Sequence, residues 1–289
     1  MRRRFLLTGA CLAIGIVSAC STPETVIKTE DIPTGGVRFI NAVPDSSGAM
    51  GLDFRFIDMV ESNAQFRMTF RNAPSSAAPF VSTLTEYKGA RAGSRKFRVF
   101  LDDTIASITQ TVLKDSSITV EALHNYTVML WGNARSTGAD KMKMTVWDET
   151  VPAPGSNVAF RIVNTQSTPI NVRVYAQGGT APAAATWANV PAYSASSYIT
   201  LAPGSYMYNV RDVDDATKLF NDALALQGAA ATVDIEALPG SLVAGSAISA
   251  FVFPRSTAGA RTPQTAAFAV PAITFNWDKR PPRTCSPLC

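Results

Sequence analysis

The 289-residue chain has one histidine, His124, and four cysteines, none of them between positions 21 and 284. A single imidazole leaves a His-rich zinc centre short of ligands, and any Ser-His-Asp or Cys-His machinery would have to run through His124. The Gly-x-Ser-x-Gly elbow that presents a hydrolase serine is missing as well. His124 lies in ALHNYTV, beside a predicted strand start, and reads as a turn or strand-end residue. Charge is also scarce: 17% of residues are charged, 26 basic against 22 acidic. Residues 1–19 carry Arg2, Arg3, Arg4 and no acid, so without them the balance is 23 against 22. The basic pI therefore belongs largely to that segment. No Lys/Arg-rich run remains beyond it, and the electrostatic footprint of a nucleic-acid partner is missing. The apolar run that follows the three arginines, Phe5 to Val17, is too short to span a bilayer as a stable helix.

What is present at the start is an ordered signal. Arg2-Arg3-Arg4, the apolar run and the small residues Ser18 and Ala19 have the order of a secretory signal. Val17-Ser18-Ala19-Cys20 resembles the lipobox of bacterial lipoproteins. The resemblance implies that Cys20 is thioether-linked to a diacylglycerol and becomes the mature N-terminus. Cys11, after Thr8-Gly9-Ala10, lacks the branched residue and leaves too little apolar run before it. Each buried acyl methylene contributes about 0.8 kcal/mol, so two or three chains anchor stably where one would not. In such lipoproteins an Asp after the cysteine tends to retain the protein at the inner membrane. Ser21 stands here, which implies the outer membrane, on either its periplasmic or its surface face. Arg2-Arg3-Arg4-Phe5-Leu6 also fits the core of a twin-arginine signal, so the export route, Sec or twin-arginine, stays open.

With Cys11 discarded and Cys20 acylated, Cys285 and Cys289 remain in the tail TCSPLC. In an exported protein this pair favours a small disulfide loop, with free or intermolecular thiols as the alternative; a two-thiolate metal site lacks further ligands.

Between the ends the chain repeats itself. VRFINA (37–42) matches FRIVNT (160–165), and LDFRFI (52–57) matches INVRVY (170–175). Tyr87 and Gly93 are spaced as Tyr198 and Gly204, and the Trp147-Asp148 pair matches Trp277-Asp278, each followed by proline. The expected organisation is a signal peptide at 1–19, a tether at 20–35, sandwich repeats at 36–155 and 156–282, and a cysteine-containing tail at 283–289. Each repeat has an ordinary domain size.

Period-two alternation argues for β-structure. In LDFRFI, Leu52, Phe54 and Phe56 share one face and Asp53 and Arg55 the other, the mark of a strand with one wet face. Further strands are expected at 95–101, 126–131, 142–147, 206–210, 248–253 and 273–277, while 216–230 reads as strand and loop rather than helix. Short strands separated by Gly, Pro, Ser and Asn predict an all-β protein of two tandem Ig-like antiparallel β-sandwiches.

VRFINAVPDS, the Tyr followed by a Gly-Ser hairpin in APGSY, and LHNYTVMLWG together resemble the bacterial family called domain of unknown function 4397. The resemblance covers both repeats. It implies export, frequent lipid anchoring and β-sandwich repeats, and it brings no catalytic residues. The second repeat departs from it at SAISAFVFP, where the first has NYTVMLWG, and the first carries an insertion-like stretch at 58–80.

Few side chains are candidates for chemistry. Asp102-Asp103 and Asp212, Asp214 and Asp215 follow predicted strands, where Asp satisfies turn backbone groups. The same clusters could gather a calcium ion, Asp212, Asp214 and Asp215 above all, or serve as a glycosidase acid and base. Trp147 shares its face with Lys143 and Thr145 but Trp277 with Ile273 and Phe275, so burial is expected for Trp277. Trp131 and Trp187, each found in one repeat only, are the candidates for ligand contact, with core packing as the alternative. The segment 65–80 mixes Arg67 and Arg71 with aromatics and reads as a binding loop or an extra edge strand. The expected role is non-enzymatic: binding, adhesion or envelope structure on a membrane, through an unidentified protein or polysaccharide ligand, with no cofactor beyond the acyl lipid. The alternative is a carbohydrate-binding module or weak glycan hydrolase using Asp102, Asp103, Asp214 or Asp215.

Overall fold

The matched motifs VRFINA and FRIVNT each become a central strand of a sheet. The first half of the chain forms β1 (Thr34–Ala42), β2 (Leu52–Phe56), β3 (Lys88–Arg91), β4 (Gly93–Leu101), β5 (Val112–Val120), β6 (Asn125–Trp131) and β7 (Lys143–Asp148). One sheet has the order β3-β1-β6-β7 and the other β2-β4-β5. Between them lies a core that includes Val37, Phe39, Phe54, Phe97, Val128 and Leu130. Phe39 stacks on Phe54 at 4.3 Å and meets Phe97 edge-on at 5.7 Å, geometries that aromatic quadrupoles favour.

The second half repeats the plan with β8 (Val158–Asn164), β9 (Ile170–Ala176), β10 (Trp187–Val190), β11 (Ser194–Ala195), β12 (Ile199–Leu201), β13 (Tyr206–Asp212), β14 (Ala223–Leu224), β15 (Ala247–Phe253) and β16 (Ala272–Lys279). Its sheets are β11-β8-β15-β16, with β12 also on β8, and β10-β9-β13-β14. Thus β8, β9, β12, β13, β15 and β16 pair as β1, β2, β3, β4, β6 and β7 do.

The computed structural model describes residues 32–46, 51–58, 86–101, 105–257 and 269–283, and the described residues from 33 onward group into one compact unit. Cys20, Cys285, Cys289, Asp102, Asp103 and the segment 65–80 lie outside the described residues.

The all-β expectation holds, and the strands expected at 95–101, 126–131, 142–147, 206–210, 248–253 and 273–277 coincide, to within two residues at either end, with β4, β6, β7, β13, β15 and β16. Residues 216–230 hold β14 and loop, with no helix. One feature differs from a purely antiparallel design. β1 runs parallel to β6, Val37 opposite Tyr126 and Ala42 opposite Trp131, and β8 runs parallel to β15, Phe160 opposite Ile248. Parallel pairs need long crossovers and cover on both faces. The crossovers are the other strands of each sandwich, and the cover comes from the two central sheets packing against each other.

That packing follows from the alternation within β1. Val37 and Phe39 enter the first core, so Arg38, Ile40 and Ala42 point the opposite way. There they meet the second half: Ile40, Ala42 and Met129 form a third hydrophobic cluster with Val163, Phe251 and Phe253. Every residue of β8 and of β15 is buried as a result. Burying a side chain of this size contributes about 1.5–3 kcal/mol, so the seam between the sandwiches is a core in its own right.

Two faces expected to be wet are covered. Asp53 on β2 is buried beneath Arg55, whose Nε donates to it at 2.8 Å while its guanidinium lies over Phe100. Arg173 on β9 is buried because the loop after β9 folds back, offering the carbonyls of Pro182 and Ala183.

Candidate functional site

Alternation along β1 and β8 sends Arg38 and Arg161 into the seam, where water is excluded and each charge needs partners. Arg38 Nε donates to Thr127 Oγ1 at 2.8 Å, and that hydroxyl donates to Glu149. Arg161 Nε donates to Ser249 Oγ at 2.6 Å, and that hydroxyl donates to Asp278 Oδ2 at 2.6 Å. Two short bonds cross between sandwiches: Arg38 Nη2 to Asp278 Oδ1 at 2.6 Å, and Arg161 Nη2 to Glu149 Oε1 at 2.7 Å. Tyr87 lies over Arg38 at 4.5 Å, Tyr198 lies over Arg161 at 4.8 Å, and Tyr198 also donates to Asp278. The set is a pseudo-twofold centre in which each sandwich supplies one arginine, one hydroxyl, one tyrosine and one acid.

Its electrostatics are those of a closed ion cluster. Burial opposes the charge on Glu149, but the hydrogen bond and charge of Arg161, the charge of Arg38 and the bond from Thr127 outweigh it and hold the carboxyl below its usual range. Burial likewise opposes the charge on Arg38, and Tyr87, Asp278 and Glu149 hold it above the ordinary arginine value. Burial pushes the phenols of Tyr87 and Tyr198 up, so both remain protonated donors. The cluster joins the halves.

The acids come from different places in the repeat for a reason of register. Trp147 is opposite Thr127 on β6, but Trp277 is opposite Ile248, one step out of phase, next to a bulge between Ala247 and Ile248. Trp147 therefore faces the seam cluster with Lys143 and Thr145, while Trp277 shares its face with Ile273 and Phe275, which pack on the second core. Both tryptophans are half-buried. The shift sends Asp278 into the seam and leaves its counterpart Asp148 outside, paired with His124 at 2.9 Å, so Glu149 takes the buried position.

A cleft opens at each end of the seam. At the end where the chain starts β1, Leu123, His124, Asn125, Asp148, Glu149, Asp278 and Lys279 line about 450 Å³. His124 occupies the turn before β6, its carbonyl accepting from Gly36 N. Leu123 beside it is 95% exposed and has a left-handed backbone, φ 67°.

The cleft at the opposite pole, about 440 Å³, is lined from both sandwiches. Trp131 ends β6 and Gly132 turns the chain there: φ is +82°, and a Cβ would lie 2.7 Å from the Lys141 carbonyl oxygen. Tyr193, contributed by the second half and left-handed at φ 54°, stacks on Trp131 with centroids 3.7 Å apart and planes 14° from parallel. Asp140 accepts from Asn133 Nδ2 at 2.7 Å and from Ser136, and these bonds hold its carboxyl below the usual range. Arg255, exposed, stands on the second-half side. A backbone bond from Thr257 N to Pro44 O closes this end.

Of the expected ligand contacts, Trp131 lines this cleft, whereas Trp187 is 8% exposed inside the second core, its Nε1 donating to the Ser197 carbonyl. The acidic cluster serves its turn: Asp212 accepts from Thr217 N at 3.1 Å, Asp215 is paired with Arg173, and Asp214 is exposed. Among the described residues no group of three or more His, Cys, Asp or Glu could hold a metal ion. Sequence reasoning did not single out Arg38, Arg161, Glu149 or Tyr193. The signal for the arginines was available: both stand at the second position of the matched motifs, out of phase with the core.

No curated protein sequence matches the chain. Among solved structures, a Bacteroides fragilis protein proposed to act in cell adhesion is 10% identical, with 86% of this chain and 97% of that one covered, at a TM-score of 0.16, too low to carry an argument. A family model does match: residues 35–175, from the start of β1 into β9, are similar to the domain of unknown function DUF4397.

Proposed function

We propose that the chain is an exported, lipid-anchored protein of the bacterial cell envelope in which two copies of the DUF4397 domain are fused as an internal dimer that binds a ligand without transforming it. The duplication is supported by the matched motifs and by the recurrence of strand pairing in the two sandwiches. The anchor is supported by the Val17-Ser18-Ala19-Cys20 pattern and the charged, apolar start. The observation that carries the binding role is the composite cleft at the Trp131–Tyr193 pole, at the end of the seam away from the start of β1. Against the competing hydrolase reading, Asp215 is held by Arg173, while Asp102 and Asp103 lie outside the described residues.

The test is intact mass with membrane fractionation of the native protein beside a Cys20→Ala form. The expected result is a mature chain that starts at Cys20 with added acyl mass, sediments with the outer membrane and is released by the substitution. An unmodified soluble mature chain would remove the anchor and leave a periplasmic or secreted binding protein.

A further inference from the structure

We infer that the cleft at the Trp131–Tyr193 pole is a saccharide site that neither sandwich can build alone. The inference rests on the binding role proposed above and names its ligand class. Each half contributes one aromatic and one charge: Trp131 and Asp140 come from the first, Tyr193 and Arg255 from the second. Tyr193 holds its place on Trp131 from a left-handed backbone that costs a non-glycine residue free energy, and such strain concentrates where a side chain must be aimed.

The chemistry of the walls selects the ligand. Among the described residues the lining carries one acid, Asp140, and one base, Arg255, with Lys143 Nζ 5.1 Å from the Trp131 ring centroid. A wholly apolar ligand would strip water from Asp140 and Arg255 without replacing its hydrogen bonds. A neutral ring with hydroxyls at its edge and C–H groups on its face matches what is present: the stacked Trp131–Tyr193 pair, a carboxylate kept ionised, a guanidinium, and the amides of Asn133 and Gln166. The Nε2 of Gln166 is committed to the Phe253 carbonyl and the Nδ2 of Asn133 to Asp140, which leaves their amide oxygens to accept hydroxyl protons. The volume, about 440 Å³, is within the usual range of small-ligand sites, roughly 300–1,000 Å³.

The test is calorimetric titration of the full mature chain in detergent with glucose, galactose, mannose and N-acetylglucosamine and with cellobiose, lactose and chitobiose. Saturable binding of at least one sugar is expected, with a Kd on the order of 0.1–10 mM. Tyr193→Ala and the isosteric Asp140→Asn should each weaken it about tenfold or more, or about 1.4 kcal/mol. His124→Ala, at the other end of the seam, should leave it unchanged. No saturation by any of these sugars, or binding that survives both pole substitutions, overturns the assignment. Because binding is read in solution and anchoring at Cys20, the two can fail separately: an acylated chain that binds no sugar keeps the envelope reading and loses this one.

Discussion

Arg38 Nη2 stands 2.6 Å from Asp278 Oδ1, although the two residues are 240 positions apart and belong to different sandwiches. Both side chains are fully buried, so neither can fall back on water if the other is removed. Truncating one partner of such a pair leaves an uncompensated charge. Arg38→Ala should destabilise the fold by about 3–5 kcal/mol. Adding Asp278→Asn should cost less than the sum of the two single changes, by about 0.5–3 kcal/mol. Urea unfolding of the four-protein cycle checks this; strict additivity would mean that the pair is not coupled.

Glu149 makes the seam acid-sensitive. Its pKa is lower in the folded chain than in the unfolded one, so unfolding takes up a proton at low pH. Its contribution is complete above the ordinary carboxylate value, about pH 4.5, and is lost as pH falls through the depressed folded value. Glu149→Gln should therefore be clearly less stable than the parent at neutral pH, and the gap should narrow below about pH 4. Thermal melts of both proteins across this range read the gap directly.

The cost of a left-handed backbone at Leu123 is not repaid by burial, since the side chain is 95% exposed. Relief of about 1–2 kcal/mol of strain, less the entropy glycine loses on folding, about 0.5–1 kcal/mol, leaves a net gain. Leu123→Gly should raise the melting midpoint by a few degrees. A lower midpoint would show that Leu123 makes a stabilising contact in solution.

Calcium should leave stability unchanged. Asp215 already binds Arg173, and Asp212 already caps its turn at Thr217. A shift of the midpoint upward with added calcium and downward with chelator would reveal a site that these partners do not preclude.

Covalent linkage should be dispensable once the chain has folded. A protease site placed in the exposed turn at Gly155 can be cut after purification, and the halves are expected to stay together through gel filtration. The same cut in a chain carrying Arg38→Glu should release them, because the seam would then hold a repelling pair. Separation of the unsubstituted halves would mean that the third core is too weak to hold them together.

The strands were legible because alternation is local: Phe54 and Phe56 announce a buried face whatever lies beyond it. The meaning of the opposite face was not. Arg38 in VRFINA reads as a solvent residue until a second sheet is placed on it, and that placement depends on contacts about 240 residues apart in sequence. The unequal phases of Trp147 and Trp277 were visible, and they correspond to a real register shift in β16. What the shift does, choosing Glu149 in one half and Asp278 in the other, needs both sandwiches in view. Trp131 was marked as a ligand candidate by occurring in one repeat only. Tyr193 carried no such mark, because neither its left-handed backbone nor its stacking partner can be read from neighbouring residues.

The parallel course of β1 and β6 has a mechanical consequence. Seven residue pairs, Gly36–Asn125 to Ala42–Trp131, run along the line from the start of β1 to the far pole. A pull between that start and anything held at the pole is directed along the strands. Their hydrogen bonds are then strained together in shear, and none can be peeled away before the rest. Under tension the module should behave as a stiff strut that fails abruptly, with rupture beginning elsewhere than in its central sheet.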